Sequence, residues 1–289
     1  MKKGTALALG LFDSIHIGHR YLAKTAQEYA KNNNLDFLLL TFDDNFYQFI
    51  NKKEKALYTL AERKVLLRTL GISCYVITST KQFFSLDAQG FYNYLTQFSP
   101  QALFIGQDYS FGAKGKWHPA DMQEYYKDKD TVVFVVDLLE QDSQKISSSL
   151  IKSFLTQGNL TAANMLLGNE FFIIGKVVPG KRIGRTMGIP TANLESNDNK
   201  FLPKWGVYAA RAEIEGEQYK GIVNVGSQPT FCCNKPCVEV HLLEFNKHIY
   251  GKELKLSFIE RIRDIVTFDS PQALRAQIES DIKKVESLW

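Results

Sequence analysis

No apolar stretch in this chain of 289 residues approaches the length of a bilayer span, so no transmembrane helix is expected. Cysteine is scarce too, with Cys74, Cys232, Cys233 and Cys237 the whole complement. Four thiols in a chain this long do not make the disulfide framework of a small secreted domain. Three of them crowd into 232–237, but Cys-Cys-x-x-x-Cys does not match paired zinc-ligand spacing and no second knuckle follows. The expectation there is reduced thiols on a loop. Charge of one sign is also lacking. The 35 Lys and Arg against 31 Asp and Glu leave a net +4 spread along the chain, where a dedicated nucleic-acid binder carries a dense basic stripe. A mild positive excess suits an enzyme that handles phosphates. The opening Met1-Lys2-Lys3 and the apolar run from Thr5 to Phe12 only faintly resemble a signal peptide. The run is short, Asp13 interrupts it, and no small-residue cleavage site follows. There is no internal repeat and no low-complexity linker. These absences point to a cytoplasmic protein with neither a membrane nor a nucleic acid as partner.

What is present falls into two regimes, expected to be two domains at 1–165 and 166–289. In the first, apolar runs of strand length at Thr5–Leu9, Leu35–Thr41, Cys74–Ile77, Ala102–Ile105 and Thr131–Val136 alternate with helical patterns. Alternating β and α predicts an α/β doubly wound parallel sheet, whose ligands bind beyond the carboxyl ends of the strands. In the second, short strands with period-two alternation run over Phe171–Val178, Gly206–Glu213, Tyr219–Val225, Val238–Phe245 and Leu254–Ile259. They read as a small antiparallel barrel or sandwich. Ser270-Pro271 then opens a C-terminal helix with Leu274, Ile278, Ile282 and Val285 on one stripe. The segment Thr161–Gly168 joins the regimes and is itself compatible with a helix.

The segment Gly10-Leu11-Phe12-Asp13-Ser14-Ile15-His16-Ile17-Gly18-His19 carries the chemistry of the first half. It reads as strand, tight turn, helix, with two histidines three apart at a helix N-terminus. Free N–H groups and a partial positive charge make such a terminus an anion site. His16 and His19 add donors suited to nucleotidyl transfer, and Gly18 permits close backbone approach. The competing reading is a buried histidine pair beside an ordinary βα turn. After the fourth strand, Asp108 in the loop Ile105–Gly112 can reach a ribose hydroxyl or an adenine amine. Ser147, Ser148 and Ser149 begin a helix, as caps or as phosphate ligands, with Lys145 and Lys152 adding charge.

In the second half, residues 175–193 hold four glycines and basic residues on one flap that can wrap phosphates, without the P-loop spacing. Thr191 and Asn193 lie two apart, so in an extended segment their oxygens share a face and can hold Mg²⁺ bridged to phosphates. On the strand from Val238, an inward Glu239 serves as general base for a hydroxyl nucleophile; alternatively it is a solvated strand carboxylate.

These motifs resemble, end to end, the prokaryotic bifunctional riboflavin kinase/FAD synthetases. The resemblance rests on Pro190-Thr191-Ala192-Asn193, Gly206-Val207-Tyr208, the N-x-G-x-x-P-T-F run from Asn224 to Phe231, Val238 to Phe245, Tyr250-Gly251-Lys252, and Arg263 leading to Phe268-Asp269-Ser270. It implies that Thr191 and Asn193 hold Mg-ATP beside Lys176, Gly180 and Arg185 of the flap. Asn224 and Arg263 then face the flavin, and Glu239 deprotonates the riboflavin 5′-hydroxyl to give FMN and ADP. It implies further that the first half joins FMN to a second ATP, releasing pyrophosphate and leaving FAD. There His16 and His19 steady the phosphates, and Gly10, Phe12, Gly18, Asp108, Ser148 and Ser149 surround ATP.

The chain departs from the family pattern in places. Ser14 replaces a glycine, and the Ile146–Ser149 motif has serine where threonine is usual. Lys145 and Lys152 replace arginines, keeping charge without the bidentate fork. Phe42-Asp43-Asp44-Asn45-Phe46 replaces F-x-P-H-P, and its two carboxylates are expected to repel a phosphate-bearing acceptor. Three readings follow: a bifunctional enzyme, a riboflavin kinase with a silent or repurposed first domain, and a flavin-binding regulator. Intact Thr191, Asn193 and Glu239 speak against the last, and His16, Gly18 and His19 speak for the first.

Overall fold

Strand β1 (Thr5–Leu9) is apolar from Ala6 to Leu9, and all four residues are buried, as a strand covered on both faces requires. A computed structural model describes this strand and all other residues except 1–2, 50–53, 138, 142–143, 180–187, 196 and 228–235. The chain divides into two compact units, Met1–Ser148 and Ser149–Trp289.

The first unit runs β1, α1 (Ile17–Asn32), β2 (Asp36–Phe42), α2 (Phe46–Phe49), α3 (Leu60–Thr69), β3 (Tyr75–Thr78), α4 (Thr80–Phe84), α5 (Ala88–Thr96), β4 (Pro100–Gly106), α6 (Pro119–Tyr126) and β5 (Val132–Val136). Two short strands, β6 (Glu140–Gln141) and β7 (Gln144–Lys145), close it. The sheet order is β3-β2-β1-β4-β5, and every neighbouring pair is parallel. Succession reverses beside β1, between β2 on one flank and β4 on the other. The crevice beyond the carboxyl ends of β1 and β4 is therefore the topological switch point, where open α/β sheets bind ligands. Helix α1 lies close to this sheet because it buries Ala23, Ala26 and Ala30 along with Leu22. All five expected strands are present, with β4 starting at Pro100 rather than Ala102.

The second unit follows the start of α7 (Ser148–Gln157) and continues with α8 (Leu160–Leu167), β8 (Phe172–Val178), β9 (Ala192–Leu194), β10 (Gly206–Ile214), β11 (Glu217–Ser227), β12 (Pro236–Leu242), β13 (Glu253–Arg263) and α9 (Pro271–Glu286). Its strands close a barrel in the order β10-β11-β12-β9-β8-β13. Closure removes the edges that an open sandwich would expose. Strand β9 was not among the expected strands, since three residues carry no periodicity. It nonetheless bridges β12 and β8. Tyr208, Val223, Val240 and Phe258 are fully or almost fully buried and fill the barrel. Val207, Ala209 and Ile222 take the opposite face and pack with Ile282 and Val285 of α9. Cys237 belongs to β12 rather than to a loop, while Cys232 and Cys233 lie outside the described residues.

Candidate active sites

The turn after β1 is over-determined. Phe12 and Ile15 both take positive φ, +48° and +45°, which costs a β-branched residue such as Ile15 on the order of 1–3 kcal/mol. Many contacts hold it there. The Asp13 carboxylate accepts from the Tyr47 hydroxyl at 2.7 Å and from Leu57 N–H at 3.0 Å. Arg20 donates to the Ile15 carbonyl at 2.9 Å, and the Thr41 hydroxyl to the Leu11 carbonyl at 2.6 Å. A Cβ on Gly10 would meet the Phe12 ring at 3.0 Å, and one on Gly18 would meet His16 at 3.1 Å. Gly18 thus makes room for a protein ring as well as for backbone approach. Phe12 is buried against His19, 5.1 Å between ring centres, so its side chain shapes the turn rather than lining it.

His16 is the N-cap of α1, its Nδ1 accepting from the His19 N–H at 3.1 Å. With Nδ1 an acceptor, the neutral ring carries its proton on Nε2, free to donate. Burial lowers the His16 pKa to about 4. His19 stacks on it at 3.8 Å, nearly coplanar, and burial followed by His16 itself holds its pKa well below the ordinary range. Both rings are therefore neutral at physiological pH. The buried Nδ1 of His19 meets no partner among the described residues.

Of the other predicted residues of this half, Ser148 and Asp108 lie near the turn. The Ser14 and Ser148 hydroxyls share a hydrogen bond of 2.9 Å, although 134 positions separate them. Lys145 donates to Asp108 at 2.7 Å, and both charges act on His16. Ser149 follows on the exposed side of the α7 start.

Within the fold Asp44 is ion-paired, which tempers the expected repulsion, while Asp43 is held by neutral donors. Asp44 accepts from the Leu60 N–H at 2.6 Å and pairs at 3.3 Å with Arg63, whose side chain is 3% exposed. Asp43 accepts from the Thr80 hydroxyl at 2.6 Å and from the Asn45 N–H at 3.1 Å. Arg63 also donates to the Leu11 and Phe42 carbonyls and to Thr41, tying together the ends of β1 and β2. Nothing in the local pattern around Arg63 signals this, because its partners are on other elements.

In the barrel, the ladder aligns the predicted residues. Arg263 pairs with Val207, Val207 with Asn224, Asn224 with Glu239, and Glu239 with Asn193. Directly opposed residues of an antiparallel ladder project to the same face, so these five form one row across four strand boundaries. That face is the outside of the barrel. Val238 and Val240 fill the interior, so period-two alternation turns Glu239 outward, which corrects the expectation of an inward carboxylate. It is not simply solvated either: Thr191 donates to Glu239 Oε1 at 2.5 Å. Asn193 is buried, and its Oδ1 accepts from the Cys237 thiol at 3.2 Å. Cys237 stands two residues before Glu239, a same-face spacing readable in the sequence.

Asn224 is exposed at the middle of the row. Lys176 is exposed on the face of β8 that ends at Val178, the partner of Asn193. Arg263 is different. Its fork grips Asp281 of α9 through contacts of 2.7–3.1 Å, so its guanidinium anchors that helix to the barrel. Gly180 and Arg185 lie outside the described residues.

Family models match both halves: FAD synthetase over residues 1–150 and riboflavin kinase over 167–289. The bifunctional riboflavin kinase/FMN adenylyltransferase of Listeria monocytogenes is 36% identical, the match covering 95% of this chain and 89% of that protein. The Bacillus subtilis enzyme is likewise 36% identical over 96% and 90%, and that of Escherichia coli K12 is 30% identical over 97% and 91%. A Streptococcus pneumoniae crystal structure described as a macrolide-efflux protein superposes with a TM-score of 0.87 at 32% identity, covering 99% of this chain and 94% of that one. In the present chain no described helix is long and apolar enough to cross a membrane.

Proposed function

The chain belongs to the family of bifunctional riboflavin kinase/FMN adenylyltransferases and makes both FMN and FAD, and on that premise we propose which residues carry each reaction. The observation that carries the kinase assignment is the cross-strand row Asn224–Glu239–Asn193 with Thr191 bonded to Glu239. Glu239 takes the proton of the riboflavin 5′-hydroxyl, and the oxygen attacks the γ-phosphoryl of ATP as ADP leaves. Thr191 steadies one carboxylate oxygen and leaves the other for the substrate hydroxyl. Because a hydroxyl donates one proton and keeps two lone pairs, Thr191 can serve Glu239 and a cation together. Thr191 Oγ1 and Asn193 Oδ1 are hard oxygen donors on one face, a set that fits Mg²⁺. Bound there with ATP, Mg²⁺ supplies charge neutralisation to the phosphates. Asn224 faces the flavin, Lys176 the ATP, and Arg263 acts by holding α9 beside the row. Gly180 and Arg185 complete the ATP flap in this reading.

In the first unit the FMN phosphate attacks the α-phosphorus of a second ATP, and pyrophosphate leaves. His16 and His19 donate as neutral rings to phosphate oxygens, acting by electrostatic stabilisation rather than proton abstraction. Ser148 and Ser149 cover the triphosphate, Asp108 takes the ribose, and the backbone of Gly10, Phe12 and Gly18 shapes the cradle. We assign adenylylation to 1–165 and phosphorylation to 166–289, in line with family matches that end at 150 and begin at 167. The cytoplasm, with its ATP and reduced thiols, is the proposed setting.

The test follows flavins by chromatography after riboflavin, ATP and Mg²⁺ are added to the whole chain. Wild type yields FMN and then FAD. His16→Ala stops the series at FMN. Glu239→Gln stops it at riboflavin yet still converts supplied FMN to FAD. A His16→Ala protein that makes FAD at the wild-type rate removes that histidine from the reaction.

A further inference from the structure

The first unit holds one contact that the two reactions leave unexplained. Ser14 is completely buried, and its hydroxyl lies 2.9 Å from that of Ser148. One residue is in the strained turn between Phe12 and Ile15, the other at the start of α7. We propose that Ser14 is a positioning residue for adenylyl transfer, fixing the Ser148 hydroxyl toward the ATP triphosphate. This rests on the assignment of Ser148 to ATP made above.

The two ends of the bridge differ in burial, and that difference gives it a direction. Ser14 sits on a backbone pinned on both sides, by the Asp13 carboxylate with Tyr47 and Leu57, and by Arg20 on the Ile15 carbonyl. Its hydroxyl therefore has a fixed origin. Ser148 is half-buried on the first turn of a helix, where a serine hydroxyl otherwise rotates among three staggered wells. A bond from the fixed hydroxyl to the rotating one selects a single well before ATP arrives, and pre-organisation of this kind lowers the cost of binding. A hydroxyl has one donor and two acceptor positions, so Ser148 can keep Ser14 and still engage a phosphate oxygen. Lys145, three residues earlier, is drawn to Asp108 by a 2.7 Å bond, which brings a positive charge to the same short segment. Neither glycine nor alanine at position 14 can make the bridge. Their cost to the fold is small, because Ser148 is only partly buried and its hydroxyl can turn to water.

The experiment measures FAD formation from FMN and Mg-ATP by the full chain, varying each substrate in turn. The variants are Ser14→Ala, Ser14→Gly, Ser148→Ala and the double Ser14→Ala/Ser148→Ala. Both Ser14 variants are expected to raise KM for ATP about three- to tenfold, the scale of one oriented hydrogen bond. KM for FMN stays put, which reports that the first unit has kept its shape, and riboflavin phosphorylation by the same chain is unchanged. The double variant matches Ser148→Ala alone, because Ser14 acts only through its partner. Equal rises for ATP and FMN, losses that multiply in the double variant, or wild-type kinetics in Ser14→Ala overturn the bridge. Wild-type kinetics in Ser148→Ala also overturn it, and they withdraw Ser148 from the ATP site as well. A rise in Ser148→Ala without one in Ser14→Ala removes the bridge alone.

Discussion

The two proposed active sites are built by different means. In the first unit the proposed chemistry sits on a turn whose backbone is strained at Phe12 and Ile15 and anchored by at least four side-chain bonds, with His16 buried, His19 partly buried and both rings neutral. In the barrel the row is set by strand pairing, to which Thr191 on Glu239 and Cys237 on Asn193 add side-chain bonds. Glu239 and Asn193 face each other because β12 and β9 are in register, and the ladder does the positioning. On the proposed assignment, adenylylation uses donors preset around a triphosphate, and the pinned turn supplies them. Phosphorylation, on the same assignment, uses a base open to a flavin hydroxyl, and an outer barrel face suits that. A local turn must hold its own strain, whereas a barrel spreads the work over every hydrogen bond of the sheet.

The largest break in this comparison is Glu239→Gln. It keeps the shape of the row and removes the proposed base, so FMN formation should fall about 10²- to 10⁴-fold. Adenylylation of supplied FMN should be untouched, and a parallel loss of both rates sinks the separation of the sites. Next comes Arg63→Met. The side chain is buried, joins the ends of β1 and β2, and neutralises Asp44. Removing one partner of such a pair costs about 3–5 kcal/mol. The unfolding transition of the first unit should move down by that amount and FAD formation should fall, while FMN formation persists. Asp44→Asn should cost less, since Arg63 keeps its carbonyl partners.

Acid should then separate the sites without mutation. Burial lowers the His16 pKa from 6.5 to about 4, so between those values the unfolded chain binds more protons than the folded one. Stability is complete above pH 6.5 and is lost as pH falls towards 4. A shift of this size corresponds to about 3 kcal/mol from His16, at about 1.4 kcal/mol per pH unit. Urea midpoints of the first transition, read at pH 7 and pH 4.5 in wild type and His16→Gln, check this. The variant should show the shallower decline. An identical decline in both places the acid sensitivity elsewhere.

Much of this was legible in the residues. Buried parallel strands are continuous apolar runs, so all five of the first unit stand out, and the histidine turn follows β1 as its spacing suggests. Register is another matter. That Arg263, Asn224, Glu239 and Asn193 share one row depends on pairings across four strand boundaries, which no local pattern encodes. Alternation in Val238–Leu242 separates two faces, and only closure of the barrel makes the valine face the inside. Arg63 with Asp44 and Arg263 with Asp281 are tertiary pairs 19 and 18 residues apart. Each changes the meaning of a charge that, read alone, repels a phosphate or binds a flavin.

The smallest expected effect sharpens the comparison most. The Cys237 thiol donates to Asn193 Oδ1, the oxygen proposed to face Mg²⁺. If the ladder positions Asn193, losing a weak S–H donor matters little, because Val238–Leu194, Glu239–Asn193 and Val240–Ala192 pairing still fixes the backbone. Cys237→Ala should then raise KM for Mg-ATP in FMN formation by no more than about threefold, the scale of one weak neutral hydrogen bond. Cys237→Ser, which restores a donor, should return it to the wild-type value. A tenfold rise in the alanine variant means that the carboxamide is aimed by the thiol and not by the sheet. The barrel site would then depend on a single side-chain bond, as we propose Ser148 does on Ser14.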